Sequence, residues 1–480
     1  MQWFDAVGYD FARQVLQRGT GAIYLIAFAS TLAQFPALLG EHGLLPTPQF
    51  LSRTTKAAGP TLFRRRYSDR LLRAVGWTGV VVAALLVVGL PQSGPAWLPM
   101  IAFLVIWGLY LSIVDVGQTF YAFGWESLLL EAGFLVAFLG SRDVTPPITV
   151  IVLTRWLVFR LEFGAGMIKL RGDRAWRDLT AMYFHHETQP MPNPLSWFFH
   201  HLPAWFHRLE VLGNHFAQLV VPFFLFGPQP VASIAAAIVI LTQLWLVASG
   251  NFAWLNVITI ILAFSAVSDP VAHAVIPGIP AHVPTHPSPV WFMIVVLAFT
   301  VFMVVLSWWP LRNLFSRHQL MNASFNRWHL CNAYGAFGSV TKERFEVIVE
   351  ASMADQPSTD DDWQAYEFKG KPGDPSRMPR QFAPYHLRLD WLMWFLALGA
   401  RNDQWFLMFA MRLLQADPPT LRLLKRAPFG SERPRWVRAR MFRYRFSSWQ
   451  ELRTDHVWWV RHPVAELLLP VSLPHAQAQE

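Results

Sequence analysis

Long apolar runs with few interruptions dominate the first 310 residues of the chain. Within residues 211–311 the only formally charged side chain is Asp269, and residues 74–114 contain none. A helix that crosses a bilayer needs about 20 mainly apolar residues, so each of these stretches holds more than one span. The pattern predicts a protein that crosses the membrane several times.

Nine segments of this region are candidate transmembrane helices, and proline and glycine residues mark the breaks between them. They lie at residues 21–39, 76–91, 97–114, 125–140, 148–168, 211–227, 230–248, 251–268 and 290–309. The fourth and fifth segments are the least typical, because ionisable residues interrupt their apolar runs. A large polar loop, residues 169–210, separates the fifth segment from the sixth.

The chain changes character after Pro310, where charged residues become frequent and apolar residues occur in short runs. Strand patterns cover residues 338–350, 363–369 and 435–446, and helix patterns cover residues 387–398 and 405–414. We therefore predict a polytopic α-helical membrane protein. Its multi-span transmembrane region is residues 1–310, and a C-terminal α+β extramembrane domain follows at residues 311–480.

The composition agrees with a membrane protein. Hydrophobic residues make up 53% of the chain, charged residues only 15%, and the mean hydropathy is +0.29. Soluble domains carry about 25% charged residues. The single cysteine, Cys331, excludes an intramolecular disulfide and any metal site built from several cysteines. The lipid bilayer is therefore the first predicted partner.

The net charge of +9 raises the question of nucleic acid. Four arginines alternate with apolar and aromatic residues late in the chain, at Arg438, Arg440, Arg443 and Arg445. Such a run can bind single-stranded nucleic acid, but it also suits anionic lipid headgroups or the solvated face of a strand. In a chain anchored in a bilayer we favour the last two, and we predict no nucleic-acid partner.

Basic residues are unevenly distributed among the polar segments. Residues 41–75 carry seven Lys or Arg and residues 169–210 carry five, whereas residues 269–289 carry none. Because cytoplasmic loops are enriched in Lys and Arg, both basic segments and the chain after residue 310 are predicted to be cytoplasmic. Arg13 and Arg18 precede the first span and favour a cytoplasmic N-terminus. Either the first segment does not fully cross, or the span count is wrong by one.

Three ionisable residues recur at seven-residue intervals in and after the fifth segment: Arg155, Glu162 and Lys169. On a helix this spacing places them on one stripe. Ionisable groups at membrane depth normally face the protein interior in pairs and mark functional sites. We treat the three as candidate functional residues, with a structural ion pair that joins two helices as the alternative.

The polar loop is rich in histidine. His185, His186 and Glu187 are adjacent, and further histidines follow at positions 200, 201, 207 and 215. Histidine is a common ligand of transition metals, but no HExxH or facial-triad spacing is present, so no metal site is predicted. The many aromatic neighbours favour an amphipathic segment in the headgroup layer. His185, His186 and Glu187 are kept as candidate loop residues.

Several long segments resemble the lipase maturation factor family. They are GAIYLIAFASTLAQFPALLGEHGLLP at 21–46, KLRGDRAWRDLT, HHETQPMPNPLSWFFHHLP and NHFAQLVVPFFLF within 155–226, NAYGAFGSVTKERFEVIVE at 332–350, EFKGKPGDPSRMPRQFAPYHLRLDWLMWF at 367–395 and PRWVRARMFRYRF at 434–446. The resemblance implies a multi-pass membrane protein that helps secreted proteins such as lipases to fold and assemble. In animals such proteins reside in the endoplasmic reticulum membrane, with a luminal C-terminal domain. That side is opposite to the one predicted from charge.

The chain contains 34 Arg and 6 Lys among its 40 basic residues. This ratio is typical of a bacterial protein from a GC-rich genome, for which the cytoplasmic membrane is expected. The resemblance implies no catalytic residue and no cofactor, and a chaperone-like factor is favoured over an enzyme. A distant similarity to the membrane domains of vitamin K-dependent carboxylases keeps an alternative open.

That alternative is an integral-membrane enzyme that acts on a lipid or a lipid-soluble substrate. Its site would combine the ionisable stripe with the first pair of loop histidines. Under the maturation-factor hypothesis, the candidate client-binding residues lie in the C-terminal domain. They are Tyr334, Gly335, Phe337, Pro384, Tyr385, His386, Arg388, Asp390 and Trp391. The alternative for this second set is a folded core that includes a satisfied Arg–Asp pair.

Overall fold

The computed structural model describes residues 3–54, 59–280, 286–399 and 404–473. Sixteen helices precede residue 316 in the described part. They are α1 (Asp10–Leu39), α2 (Thr47–Arg53), α3 (Asp69–Val88), α4 (Trp97–Asp115), α5 (Gly124–Val136), α6 (Ile148–Arg171), α7 (Arg174–Arg177), α8 (Met182–Thr188), α9 (Ser196–His200), α10 (Ala204–Leu219), α11 (Val221–Phe224), α12 (Val231–Ser249), α13 (Leu255–Ala263), α14 (Asp269–Val275), α15 (Val290–Leu306) and α16 (Trp308–Phe315).

Successive helical segments run back and forth between two ends of a bundle. Hydrogen bonds at one end join Phe4 to Ile148, Gly8 to Asp269 and Gln92 to Arg142. Bonds at the opposite end join Thr61 to Ser112, Leu45 to Gln118 and Asp173 to Gly338. Each of the nine predicted segments contains helix, and successive segments run in alternating directions. Because nine is an odd number, the N-terminus and the C-terminal region lie at opposite ends of the bundle.

Within the part of the chain that the structure describes, five helices are long and apolar enough to cross a membrane, against nine predicted segments. They are α1, α3, α4, α12 and the continuous stretch Val290–Phe315. Residues 255–266 together with α14 form a sixth if this pair, bent by 115°, is counted as one span. The chain is a multi-pass membrane protein, and its fold class is confirmed.

The three remaining predicted segments are not helices of the length and composition of a span, each for its own physical reason. Helix α5 has only 13 residues, and α6 contains Arg155, Arg160 and Glu162 within its apolar run. Residues 211–227 are divided between α10 and α11, because Pro222 lacks the amide donor that would continue the first helix. These three segments pack in the bundle without having the length or composition of a simple span.

The C-terminal region contains a four-stranded antiparallel sheet of order β2-β1-β3-β4. Its strands are β1 (Arg344–Ser352), β2 (Gln364–Ala365), β3 (Trp436–Phe446) and β4 (Trp459–Val471), and its helices are α17 (Arg388–Ala397), α18 (Gln404–Leu414), α19 (Pro418–Leu421) and α20 (Trp449–Thr454). The predicted helices and the strand at 435–446 agree with this structure. The segment 363–369 is a strand over two residues only.

Strand β4 is absent from the sequence-based prediction. Its residues are mostly exposed on both faces, so the apolar and polar alternation of a half-buried strand is missing. Pro463 and Pro470 also lie inside it, and proline normally argues against a central strand. The strand nevertheless forms at the edge of the sheet, where a missing amide donor is tolerated.

The C-terminal region packs against the helical bundle. One continuous core includes Phe28 of α1, Trp125 of α5, Trp391 of α17 and Leu413 of α18. The continuous span Val290–Phe315 also crosses the predicted boundary between residues 310 and 311. The division of the chain at that position stays a prediction.

The three basic segments lie together at one end of the bundle. Arg412 donates to the carbonyl oxygen of His42 at 2.6 Å, and Asp173 N donates to Gly338 O at 2.8 Å. Arg13 lies at the other end, where its guanidinium pairs with Asp10 and donates to the carbonyl oxygens of residues 141, 142 and 144. Because Arg13 is buried in these bonds, it is not a free charge that would orient the chain.

Candidate functional site

A buried charged group, the Glu126 cluster, joins the helical bundle to the C-terminal region. It consists of Glu126, Arg388, His386 and Tyr110. Arg388, at the start of α17, is fully buried and donates to the Glu126 carboxylate. The guanidinium also lies 3.5 Å from the centre of the Tyr121 ring. Ion pairing and aromatic contact together compensate for the loss of water around both charges.

His386 lies beside this ion pair in a fully buried aromatic pocket. Its Nδ1 accepts from Trp125 Nε1 at 3.3 Å and lies 3.4 Å from Glu126 Oε1. Gln34 of α1 donates to the His386 carbonyl oxygen at 2.7 Å. Burial and the neighbouring Arg388 lower the pKa of His386 to about 4, so the ring is neutral near pH 7.

Asp390 does not form the expected pair with an arginine. Its carboxylate accepts the amide of Gly370 at 2.6 Å, and burial raises its pKa to about 6. The arginine nearest in sequence, Arg388, is committed to Glu126. The neighbouring Trp391 packs against Trp125, with 4.7 Å between ring centroids. Arg388 and Trp391 therefore contact the helical bundle, whereas Asp390 bonds within the C-terminal region.

A second buried group, the Glu131 cluster, contains Glu131, Arg160, Asn332 and Tyr334. Tyr334 Oη donates to Glu131 Oε2 at 2.8 Å, and Asn332 donates to the same oxygen through its amide N and Nδ2 at 3.0 Å. Arg160 donates to the Glu131 carboxylate and to the Asn332 carbonyl at 2.7 Å. The carboxylate is thus fully hydrogen-bonded, as burial requires.

The other candidate residues of the C-terminal region surround these clusters. Gly335 is buried, and a Cβ there would lie 2.8 Å from Met321 Cγ. Phe337 is half-buried against the rings of His185 and Phe252. Pro384 and Tyr385 are half-buried as well. Burial favours a structural role for most of the set, and direct client contact stays a prediction for these three half-buried positions.

The stripe on α6 is buried, but its members bind different partners. Arg155 Nε donates to Ser265 O at 3.0 Å, and Glu162 accepts from Gln243 Nε2 at 2.7 Å. Lys169 donates to Gln218 Oε1 at 2.9 Å. Among the described contacts no ion pair joins any two of the three. They connect α6 to three neighbouring segments, and a common site with the loop histidines stays a prediction.

The histidine-rich loop folds into a polar group on α8 and α10. Glu210 accepts from Trp245 Nε1 at 3.0 Å, and its carboxylate lies 2.8 Å from His207 Nδ1 and 3.3 Å from His186 Nε2. Nitrogen and oxygen atoms of His186, His207 and Glu210 lie within 4.8 Å of one another and are the described residues that could hold a metal. His185 contacts His186, and burial lowers its pKa to about 3.

Glu187 connects this loop to the sheet. Its Oε2 accepts the amide of Phe446 in β3 at 2.7 Å, and its carbonyl oxygen accepts from Arg344 Nη1 of β1 at 2.8 Å. The sequence pattern indicated His185, His186 and Glu187 as candidate functional residues, but not His207 or Glu210. The spacing of three between the last two places both on one face of a helix, which is the signal that could have identified them.

The four arginines of β3 are all ion-paired within the C-terminal region. Arg438 and Arg440 share Glu350, at 2.7 and 2.9 Å, and both also bind Asp360. Arg443 pairs with Glu343, and Arg445 pairs with Glu451. Arg443 and Arg445 are about half exposed, whereas Arg438 is buried and Arg440 mostly buried, and neighbouring carboxylates neutralise all four charges.

Apolar surface remains exposed beside this sheet. Phe198, Trp449 and Trp458 form an aromatic patch, in which the Phe198 ring lies 6.2 Å from Trp449 and 6.3 Å from Trp458. Trp449 is 49% exposed. Strand β4 borders this region and, among the described residues, pairs only with β3. Its second edge therefore has backbone groups that another strand could use.

Comparison with known proteins covers both regions of the chain. Residues 11–274 match the family model of the lipase maturation factor transmembrane domain, and residues 330–470 match that of the lipase maturation factor C-terminal domain. The chain is 40% identical to lipase maturation factor 1 of Homo sapiens, over 96% of this chain and 88% of that protein. It is 28% identical to lipase maturation factor 2 of Homo sapiens, over 97% and 83%. No solved structure matches it.

Proposed function

This chain belongs to the lipase maturation factor family, and from this membership we propose that it is a membrane-bound factor that assists a secreted lipase to fold or assemble. The observation that carries the proposal is that both family regions match, across almost the whole chain. The resemblance noted in the sequence is thereby confirmed. The comparisons give no support to the alternative, an integral-membrane enzyme.

We place the client-binding surface on the aromatic patch and on β4. Val464 and Leu469 in β4 are 52% and 67% exposed, and the free edge of the strand can accept an extended segment of another chain. Exposed aromatic rings offer apolar contact area with little loss of side-chain entropy. Weak contacts of this kind suit a factor that must release its client after folding.

The proposal requires that the C-terminal region faces the compartment into which the client is secreted. This is the outside of the cytoplasmic membrane in a bacterium and the lumen of the endoplasmic reticulum in a eukaryote. Fusions of alkaline phosphatase at residue 320 and at the C-terminus test the side. Phosphatase activity is expected at both, whereas fluorescence from green fluorescent protein fused at the same positions would contradict the proposal.

The function is tested by deleting the gene and measuring the specific activity of each secreted lipase. We expect at least one lipase to be secreted with reduced activity per molecule, and the intact gene to restore it. Trp449→Ser and Leu469→Asp are expected to restore it poorly. Met353→Ser, which changes an exposed apolar side chain outside the patch, is the matched control.

Normal specific activity of every secreted lipase in the deletion strain would refute the maturation role. If the deletion has a phenotype but both surface variants complement as well as the control, the role stands and the proposed surface is wrong. Membrane abundance of each variant, measured by immunoblot, separates loss of binding from loss of the protein.

A further inference from the structure

Three side chains from two helices converge in the interior of the polar loop. His207 and Glu210 lie one helical turn apart on α10, and His186 lies on α8. The His186, His207 and Glu210 side chains are 0%, 4% and 5% exposed. Their spacing along the chain, His-x20-His-x2-Glu, matches no short motif, and only the fold brings them together.

We propose that His186, His207 and Glu210 bind a divalent transition-metal ion, and that zinc is the ion that this donor set suits best. Two imidazoles and one carboxylate are a known set of zinc ligands, and ligands about 2.0–2.1 Å from a tetrahedral zinc lie about 3.4 Å apart. The distances to Glu210 Oε2 are 3.4 Å from His186 Nε2 and 2.8 Å from His207 Nδ1. Only small side-chain movements separate these positions from a coordination sphere.

The hydrogen bonding of His207 supports a cation at this place. Its Nε2 lies 3.3 Å from the carbonyl oxygen of His200, which can only accept, so this contact is a hydrogen bond in the tautomer that carries its hydrogen on Nε2. In the neutral ring Nδ1 then has a lone pair that points at the Glu210 carboxylate. A cation bound between this lone pair and the carboxylate oxygen, which are 2.8 Å apart, would be held by both. A backbone carbonyl that fixes the second ring nitrogen is also typical of metal-binding histidines.

The His186 ring makes its polar contact with Glu210 through Nε2. Its Nδ1 is buried and has no hydrogen-bond partner among the described residues. The ring is stacked on Phe199, at 5.6 Å between centroids, which holds Nε2 towards Glu210. Trp245 Nε1 donates to Glu210 Oε1, so that Oε2 is the oxygen better placed to bind a metal.

A metal bound here would hold the polar loop against the bundle. It would fix α8 to α10, and the residue after His186, Glu187, binds both β1 and β3. Three protein ligands leave one tetrahedral position for water. The inference goes beyond the maturation role and does not depend on it, because none of the three ligands belongs to the aromatic patch or to β4.

The test uses the full chain, purified in detergent with an affinity tag that lacks histidine and stripped with a chelator. We expect one zinc per chain by elemental analysis after gel filtration, and visible absorption bands of tetrahedral cobalt when Co²⁺ is added. His186→Gln and Glu210→Gln are each expected to weaken zinc binding at least tenfold. His201→Gln is the matched control, because that ring is bonded to the Trp197 carbonyl oxygen instead.

Absence of stoichiometric zinc and of cobalt bands in the wild-type chain would overturn the proposal. Equal zinc affinity of His186→Gln and the control would overturn it as well. If a variant fails to fold, Glu210→Asp, which keeps a carboxylate, serves in its place. As an independent result, added zinc is expected to raise the thermal unfolding midpoint of the wild-type chain, whereas added magnesium is not.

Discussion

At the scale of single residues, Arg388 shows how the two regions of the chain are held together. It is 262 residues away from Glu126, and both side chains are completely buried. Burying an ion pair stabilises a protein little compared with apolar residues, but removing one partner leaves an uncompensated charge in the interior. The Glu126 cluster is therefore a place where a single substitution has a large effect.

We predict that Arg388→Met lowers the free energy of unfolding by about 3–5 kcal/mol, because Glu126 would lose its counter-ion. The measurement is the thermal unfolding midpoint in detergent. Arg443→Met is the matched control, since its ion pair with Glu343 is half-exposed and contributes about 0–1 kcal/mol. The double variant Glu126→Gln/Arg388→Met should recover part of the loss. Equal midpoints for the two single variants would show that the buried pair is unimportant.

A second prediction concerns acid. The pKa of His386 is about 4 in the folded protein and 6.5 in its ordinary state, so the unfolded chain binds the proton more readily. The contribution of His386 to stability is therefore full above pH 6.5 and is lost as the pH decreases from 6.5 towards 4, by up to about 3 kcal/mol, whereas Asp390, whose pKa is raised to about 6, acts with the opposite sign. His386→Gln should show a smaller fall over this window.

His185 and His200, whose pKa values are about 3, act with the same sign and remain in that variant. The unfolding midpoints of the wild-type chain and of His386→Gln are therefore plotted against pH from 7 to 4, and the two curves are compared. Parallel curves would mean that His386 does not titrate differently on unfolding.

At the scale of elements, glycine residues set the distance between α1 and α3. A Cβ at Gly79 would lie 2.5 Å from the Phe28 ring, and one at Gly76 would lie 2.6 Å from Leu32 Cδ2. Small residues that allow helices to approach closely are typical of membrane helix pairs. The α1–α3 contact thus depends on the absence of side chains at two positions one turn apart.

We predict that Gly79→Ala destabilises the protein by about 1–3 kcal/mol, because the added methyl group overpacks this contact. Gly108→Ala is the control, since a Cβ at that position of α4 meets no atom within 4 Å. There alanine should be neutral or stabilising, because glycine is the poorer helix former. Unfolding midpoints in detergent measure both, and a similar loss at the two positions would contradict close helix packing as the cause.

At the scale of the whole molecule, the C-terminal region completes the bundle. Tyr334 and Asn332 satisfy the Glu131 carboxylate, and Arg388 satisfies that of Glu126. Without residues 317–480 both carboxylates would lose buried partners, at a cost of about 1–3 kcal/mol for each unsatisfied group. The membrane part is therefore not expected to be stable alone.

We predict that residues 1–316 expressed alone accumulate poorly, and that co-expression with residues 317–480 restores a complex that purifies as one species. Arg388→Met in the second fragment should weaken this complex, which provides the internal control. Size-exclusion chromatography in detergent measures both. A monodisperse fragment 1–316 as stable as the full chain would show that the shared core is dispensable.

Sequence by itself determined the class of the protein and where along the chain the helices of the bundle lie. Hydropathy acts through consecutive residues, so all nine segments could be found, and the helices at 388–397 and 404–414 followed from local periodicity. The resemblance to the family likewise rests on consecutive residues. The nine predicted segments outnumber the five or six described helices with the length and composition of a span, because hydropathy does not distinguish a helix that packs in the bundle around a buried charge, such as Arg160, from one that crosses the lipid.

Only the tertiary structure decided which charged residues meet. Arg388 was expected beside Asp390 but binds Glu126, and the partners of His186 lie more than 20 residues away. Strand β4 exists because β3 offers an edge, not because its own residues alternate. The reason is physical: apolar length is a property of one segment, whereas the pairing of buried charges depends on which distant segments the fold brings within about 3 Å of each other.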